Sequence, residues 1–276
     1  MTVGQIEKHA TNIRRNVLKM IHIAGSGHPA GTLGAADIMA ALYFDILKYN
    51  PKKPKDPERD ILALSNGHIV PVQYAALAEA GAIKENELWT LRQLGSRLQG
   101  HPVRTMMPWM EITSGPLGSG MSEAAGMALG IKRSLFRSNS KDRQRFVYCI
   151  VGDGELDEGN IWEGAMFASK YRQGNLVVFV MRNNIQLDGD TEDVMPLEPL
   201  DEKWHSFGWH VLEIDGHNVQ SIIDAASEAR SVIDKPTVII AHTIPGKGVS
   251  FMEGNYKWHG KTPSDQELKQ ALEELV

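Results

Sequence analysis

Two apolar runs, each closed by small polar residues, constrain this chain most. Phe146-Val147-Tyr148-Cys149-Ile150-Val151 runs into Gly152-Asp153-Gly154, and Leu176-Val177-Val178-Phe179-Val180-Met181 runs into Arg182-Asn183-Asn184. Unbroken apolar runs of this length suit strands buried on both faces, as in parallel sheets. The stretch between them has room for one helix, about residues 159–173, so the segment reads as a βαβ unit. An aspartate and an asparagine then stand just past the carboxyl ends of two strands, where open α/β sheets bind ligands. One charged and one neutral oxygen donor suit a hard divalent cation that phosphate oxygens already partly neutralise. Gly154, without a side chain, lets its backbone N–H come close to a phosphate. Turn formation alone also draws Gly, Asp and Asn to such places, so the pair does not decide the matter by itself.

The alternation continues on both sides. Helices are expected at 4–24, ending at Gly25, and at 34–48, with the glycine-rich loop Gly25-Ser26-Gly27-His28-Pro29-Ala30-Gly31 between them. A strand at 61–64 precedes a helix to about Ala80, and a further helix runs from Glu85 to about Gln93. A short strand is expected near Glu111-Ile112-Thr113, then a small-residue helix at 121–136. Beyond the βαβ unit come a short helix after Pro199, strands at 209–214 and 237–242 with a helix at 219–233 between them, and a last helix at 265–275. This order predicts an α/β fold: a doubly wound, mainly parallel sheet with helices on both faces. With no Pro/Ser-rich linker, residues 1–276 read as one domain.

Composition removes several function classes. A net charge of −5 argues against a nucleic-acid binder, which needs a concentrated basic surface. The N-terminal apolar residues Ile6, Ile13, Val17, Leu18 and Met20 are interrupted by Lys8, Arg14, Arg15 and Lys19, an amphipathic pattern and not a signal peptide or membrane span. The lone cysteine, Cys149, lies inside an expected buried strand; with no internal disulfide possible, a reducing, cytoplasmic setting is expected.

Four histidines carry the next clue. His28, His68, His101 and His259 all sit beside Gly or Pro, in loops where rigid turns can aim them into one cleft. Histidines there can bond phosphates, polarise carbonyls and move protons near neutral pH. His9, His22, His205, His210 and His242 lack that context and read as structural, and His217 reads as part of a helix-entry turn. No HExxH or cysteine pair suggests zinc, no GxSxG suggests a serine nucleophile, and Gly115-Pro116-Leu117-Gly118-Ser119-Gly120 does not follow the dinucleotide-binding order.

Taken together, these segments make the chain resemble transketolases over nearly its whole length. The resemblance lies in Ser26-Gly27-His28-Pro29, Leu64-Ser65-Asn66-Gly67-His68, Gly100-His101-Pro102, the segment Gly115 to Gly120, Gly152-Asp153-Gly154 with Glu158-Gly159, Asn183 with Ile185 and Asp188-Gly189, Asp215-Gly216-His217, and His259-Gly260. It implies a thiamine diphosphate-binding fold, with the cofactor held through magnesium, or calcium or manganese in its place. By resemblance, Asp153, Asn183 and the carbonyl of Ile185 would ligate the ion, and Gly154, His68 and His259 would meet the diphosphate. Gly115, Leu117 and Leu187 would lie against the rings. The catalytic set would be His28, His68, His101 and His259, lining the channel for a sugar phosphate donor. Glu158 and Glu163 resemble carboxylates that link paired sites in the family's dimers.

Two departures from the family matter. Where the family often has an Asp-Asn-Gly-like triplet, this chain has Arg182-Asn183-Asn184. Transketolases are also more than twice as long, and the part that binds the cofactor's pyrimidine, with its activating glutamate and phosphate-reading arginines, has no counterpart here. The resemblance therefore implies an N-terminal subunit of a split transketolase, completed by a C-terminal subunit in an α2β2 heterotetramer. A related thiamine enzyme component, a deoxyxylulose-phosphate synthase or a 2-oxoacid dehydrogenase α chain, is the alternative. Pentose-phosphate sugars are not distinguished from modified or sulfonated ones.

Overall fold

The computed structural model describes residues 1–138 and 145–276. Its sheet has strands β1 (Ile61–Leu64), β2 (Val147–Gly152), β3 (Leu176–Arg182), β4 (His210–Asp215) and β5 (Thr237–His242), in the spatial order β1-β2-β3-β5-β4. Every adjacent pair is parallel. The helices are α1 (Val3–Ala24), α2 (Pro29–Gly34), α3 (Ala36–Ala41), α4 (Val70–Glu79), α5 (Ser119–Ser138), α6 (Gly159–Lys170), α7 (Thr191–Val194), α8 (Leu200–Ser206), α9 (Val219–Ser231) and α10 (Asp265–Glu274).

The central strands are apolar over Val147–Val151 and Leu176–Met181 because each face covers its own core. Tyr148, Ile150, Val177, Phe179 and Ile239 point to one side, where α1, α3, α4 and α9 pack. Val147, Cys149, Val178, Val180 and Ile240 point to the other, under α5, α6 and Trp204 of α8. The two-residue period of a strand produces this division. The order of the strands explains which helix lies where. From β1 to β3 the chain steps one way across the sheet, and α5 and α6 lie on one face. From β4 to β5 it steps back, and a right-handed crossover then puts α9 on the opposite face.

Local signals fix the ends of α1. Thr2 and Gln5 form a reciprocal capping box, and Gly25 closes the helix in the left-handed conformation at φ 64°. Most other elements fall within three residues of the expected spans. Three differ. The helix expected at 34–48 starts at Pro29, whose ring presets the helical φ, breaks at Ala35 and ends in a π turn over Leu42–Ile46. The helix expected from Glu85 to Gln93 is a 3-10 turn over Glu85–Thr90, with Leu88 as its buried anchor. Residues 111–113 form no strand: Ile112 is buried, but the backbone is held by Ser114, whose hydroxyl donates to the Leu64 carbonyl at 2.7 Å and whose N–H donates to the Pro102 carbonyl.

Candidate active site

A cavity of about 400 Å³ opens at the carboxyl ends of β1, β2 and β3. That size suits a small cofactor or substrate. The turn after β1 contributes Asn66 and His68, the end of β2 contributes Asp153 and Gly154, and the loop after β3 contributes Asn183, Ile185 and Leu187. His28 enters from the loop between α1 and α2, His101, Gly115 and Leu117 from the irregular segment before α5, and His259 from the segment before α10. The structure thus gathers the candidate metal, cofactor and histidine positions around one space. Leu187 stands exposed at its rim, and Glu158 and Glu163 are exposed away from the lining.

The imidazoles form a tight cluster. Ring centroids of His28 and His68 are 5.0 Å apart, and each lies 5.5 Å from His259. Burial, reinforced by His28, His259 and His101, pushes His68 down to about 3. Burial, with His259, Arg92 and His101, pushes His28 down to about 4. Burial also lowers His101 and His259. These rings are therefore neutral at pH 7, each offering one donor and one acceptor, which suits uncharged hydroxyl and carbonyl groups. His28 Nδ1 and Asn66 Oδ1 are buried without a hydrogen-bond partner in the protein.

Asp153 is buried and oriented from several directions. Its Oδ1 accepts from the Gly154 N–H at 2.9 Å, and its Oδ2 from the Asn184 N–H at 2.7 Å and Arg182 Nη1 at 3.2 Å. Burial raises its carboxyl above the usual range, and these bonds oppose the rise. Asn183 Oδ1 accepts from the Ile185 N–H at 3.0 Å, which fixes the loop's course. Asn184 adopts φ 62°, a left-handed conformation that asparagine tolerates better than most residues. Arg182 also binds Glu192 at 2.6 Å and Glu198 at 3.0 Å. The departure at residues 182–184 is thus a coherent alternative: one residue supplies an ion pair to Asp153, and another supplies a turn and an N–H. Among the described residues, no group of three His, Cys, Asp or Glu could hold a metal alone. A cation at Asp153 and Asn183 would need further oxygens from a ligand.

Sequence reasoning missed Glu155. This buried carboxylate accepts from Ser65 Oγ at 2.5 Å, the Gly118 N–H at 2.6 Å and the Gly152 N–H at 3.0 Å. It ties the turn after β1 to the entry of α5 and the end of β2. No local pattern reveals this role, because Ser65 and Gly118 are far away in sequence. Gly118 must be glycine: it has φ 83°, and an added Cβ would collide with Asn160. Gln186 was missed too; it packs on Gly154 and donates to Asp157 at 2.8 Å. His217, set aside from the sequence, bonds Asp37 at 2.7 Å and accepts from the Ile244 N–H at 2.7 Å, outside the cavity lining.

With this arrangement in view, comparison with known proteins is decisive. The transketolase family's thiamine diphosphate binding domain matches residues 6–275. The chain belongs to the transketolase family. It is similar to the 6-deoxy-6-sulfo-D-fructose transketolase subunit SqwG of Clostridium sp. (strain MSTE9), with 42% identity over 100% of this chain and 98% of that protein. It is 39% identical to a subunit of the apulose-4-phosphate transketolase of Actinobacillus succinogenes, over 100% of this chain and 97% of that protein. Human transketolase is 36% identical over 96% of this chain, which spans 41% of its length. Among solved structures, transketolase from Campylobacter jejuni superposes with a TM-score of 0.93 at 33% identity, over 100% of this chain and 43% of that one. The expected fold and family are both borne out: a parallel α/β thiamine diphosphate-binding domain of a transketolase-type transferase.

Proposed function

We propose that this chain, as one domain over residues 1–276, is the diphosphate-binding subunit of a two-chain transketolase. With a C-terminal partner that carries the pyrimidine-binding domain, it would move a two-carbon ketol unit from a ketose phosphate to an aldose phosphate. The observation that carries this reading is the meeting of Asp153, Asn183 and four neutral loop histidines in one cavity at the sheet's carboxyl edge. Two relatives matched nearly end to end are named as subunits, while human transketolase is matched over less than half its length; both facts favour a divided enzyme. The transketolase names also favour this reading over a synthase or dehydrogenase component.

The residues present fit thiamine diphosphate and magnesium, or calcium or manganese in its place. One carboxylate, one amide oxygen and a loop carbonyl form an oxygen set for a hard ion. A Cβ at Gly154 would stand 3.0 Å from Gln186, so glycine keeps the backbone at this edge of the cavity free of an added side chain. Buried, unpartnered His28 Nδ1 and Asn66 Oδ1 leave polar capacity for a ligand. Bound cofactor would supply the electron sink for breaking a carbon–carbon bond beside a carbonyl. Asp153, Asn183 and Ile185 would hold the ion, and Gly154, His68 and His259 the diphosphate. Gly115, Leu117 and Leu187 would shelter the rings from water. His28 and His101, with His68 and His259, would orient sugar hydroxyls and move protons at the donor's carbonyl oxygen.

An α2β2 assembly is the closed form this reading favours, with Glu158 and Glu163 near the junction of paired sites. No helix among the described residues is long and apolar enough to cross a membrane. A cytoplasmic setting rests on the single buried cysteine. The relatives named for sulfo-fructose and apulose phosphate extend the range of donors worth assaying beyond pentose phosphates. The test is to assay the chain alone and mixed with its C-terminal partner. Ketol transfer should need both chains, and Asp153→Ala should abolish magnesium-dependent cofactor binding. Full turnover by the isolated chain would refute the divided-enzyme reading.

A further inference from the structure

Arg92 is absent from the cavity lining, yet it joins the two loops that carry His28 and His101. Its Nη1 donates to Ser26 Oγ at 3.1 Å, two residues before His28. Its guanidinium lies on Gly100, next to His101: a Cβ built on Gly100 would stand 2.9 Å from Nε and 3.1 Å from Cζ. Its own backbone is anchored by the N–H, which donates to the Leu98 carbonyl at 2.9 Å. That backbone is left-handed at φ 60°, a conformation a long side chain seldom takes, and Nε is buried with no partner. Strain and an unused donor at a residue between two site loops mark a position held for what it does to its neighbours.

We propose that Arg92 is a positioning residue that braces the His28 loop against the His101 turn and sets the separation at which the two imidazoles meet a sugar donor. The proposal rests on the reading of the cavity as a ketose site. The guanidinium's hydrogen bond goes to a hydroxyl, so its charge acts on nearby imidazoles. The charged and titratable groups facing His28 are His259, Arg92, His101 and His68, and Arg92 also faces His101. Losing Arg92 would both loosen the loops and make these rings easier to protonate. The Arg92 brace thereby keeps two neutral hydrogen-bonding rings at a fixed distance.

Histidine-labelled NMR titration of the purified chain tests this without any turnover. In Arg92→Gln, the titration midpoints of His28 and His101 should rise by about one pH unit, and Arg92→Lys should stay nearer the parent. Gly100→Ala presses a methyl group onto the guanidinium and should raise both midpoints with the charge count unchanged. In the assembled pair, Arg92→Gln should raise donor KM about tenfold and leave kcat within about twofold, with partial recovery in Arg92→Lys. Unchanged midpoints and unchanged donor KM in folded Arg92→Gln or Gly100→Ala protein would overturn the proposal. Should Arg92→Gln fail to fold, Gly100→Ala decides. Shifted midpoints in a pair that lacks ketol transfer would uphold the brace and reject the functional reading.

Discussion

Glu155 shows how much one buried carboxylate can organise. Its two oxygens accept from Ser65, Gly118 and Gly152, so an amide in its place would present an N–H to at least one of these donors. Glu155→Gln should lower unfolding free energy by about 1–3 kcal/mol, read by urea denaturation. It should also loosen the Gly115–Gly118 loop, read as weaker thiamine diphosphate binding. The histidines make a separate, pH-dependent contribution. His28 and His68 are held at about 4 and about 3, below the ordinary value of 6.5, so below pH 6.5 the unfolded chain binds protons that the folded chain refuses. Their contribution is complete above pH 6.5 and is lost as pH falls toward 4 and 3. The melting temperature should fall across that window, with a shallower slope in a His28→Asn, His68→Asn variant; equal slopes would show that the cluster does not set it. All four loop histidines could be found from the sequence because each sits beside Gly or Pro. Glu155 and Arg92 could not, because their roles depend on partners that only folding brings close.

At the scale of elements, β3 and the loop that follows it act as one piece. Arg182, at the end of β3, pairs with buried Asp153 and reaches Glu192 in α7 and Glu198 just before α8. Its guanidinium is 3% exposed and Asp153 is 2% exposed. Removing the cation would strand a buried carboxylate on its remaining N–H bonds. Arg182→Met should cost about 3 kcal/mol in urea unfolding and speed proteolysis within residues 186–199. A cost within error of zero would mean that the two N–H donors alone satisfy Asp153. The inner strands β2 and β3 were legible because burial on both faces leaves Val147–Val151 and Leu176–Met181 apolar, and half-buried β4 was legible from Val211, Leu212 and Ile214. The break between α2 and α3 and the π turn after it were not. Pro29, Gly31 and Gly34 suit a loop as readily as a tight helix start, and only the close approach of the Ile244 carbonyl, 3.0 Å from a Cβ at Gly34, requires the glycine there.

For the molecule as a whole, the parallel sheet joins residues that are distant in the chain. β1 meets β2 by pairing Ile61 with Val147, and β3 meets β5 by pairing Val177 with Thr237. Such pairings form slowly, because long loops must close before contacts reward them. The cavity needs still more: His28 and His259 are 5.5 Å apart in space although the whole sheet lies between them in sequence. Refolding from urea should therefore restore helical circular dichroism before it restores thiamine diphosphate binding, as followed by stopped-flow. Simultaneous recovery would show that the distant segments meet early. The histidine triangle thus marks a point in time as well as a place. A chain still emerging from the ribosome lacks His259 until all five strands have been made, so the cavity is completed only after the sheet that supports it.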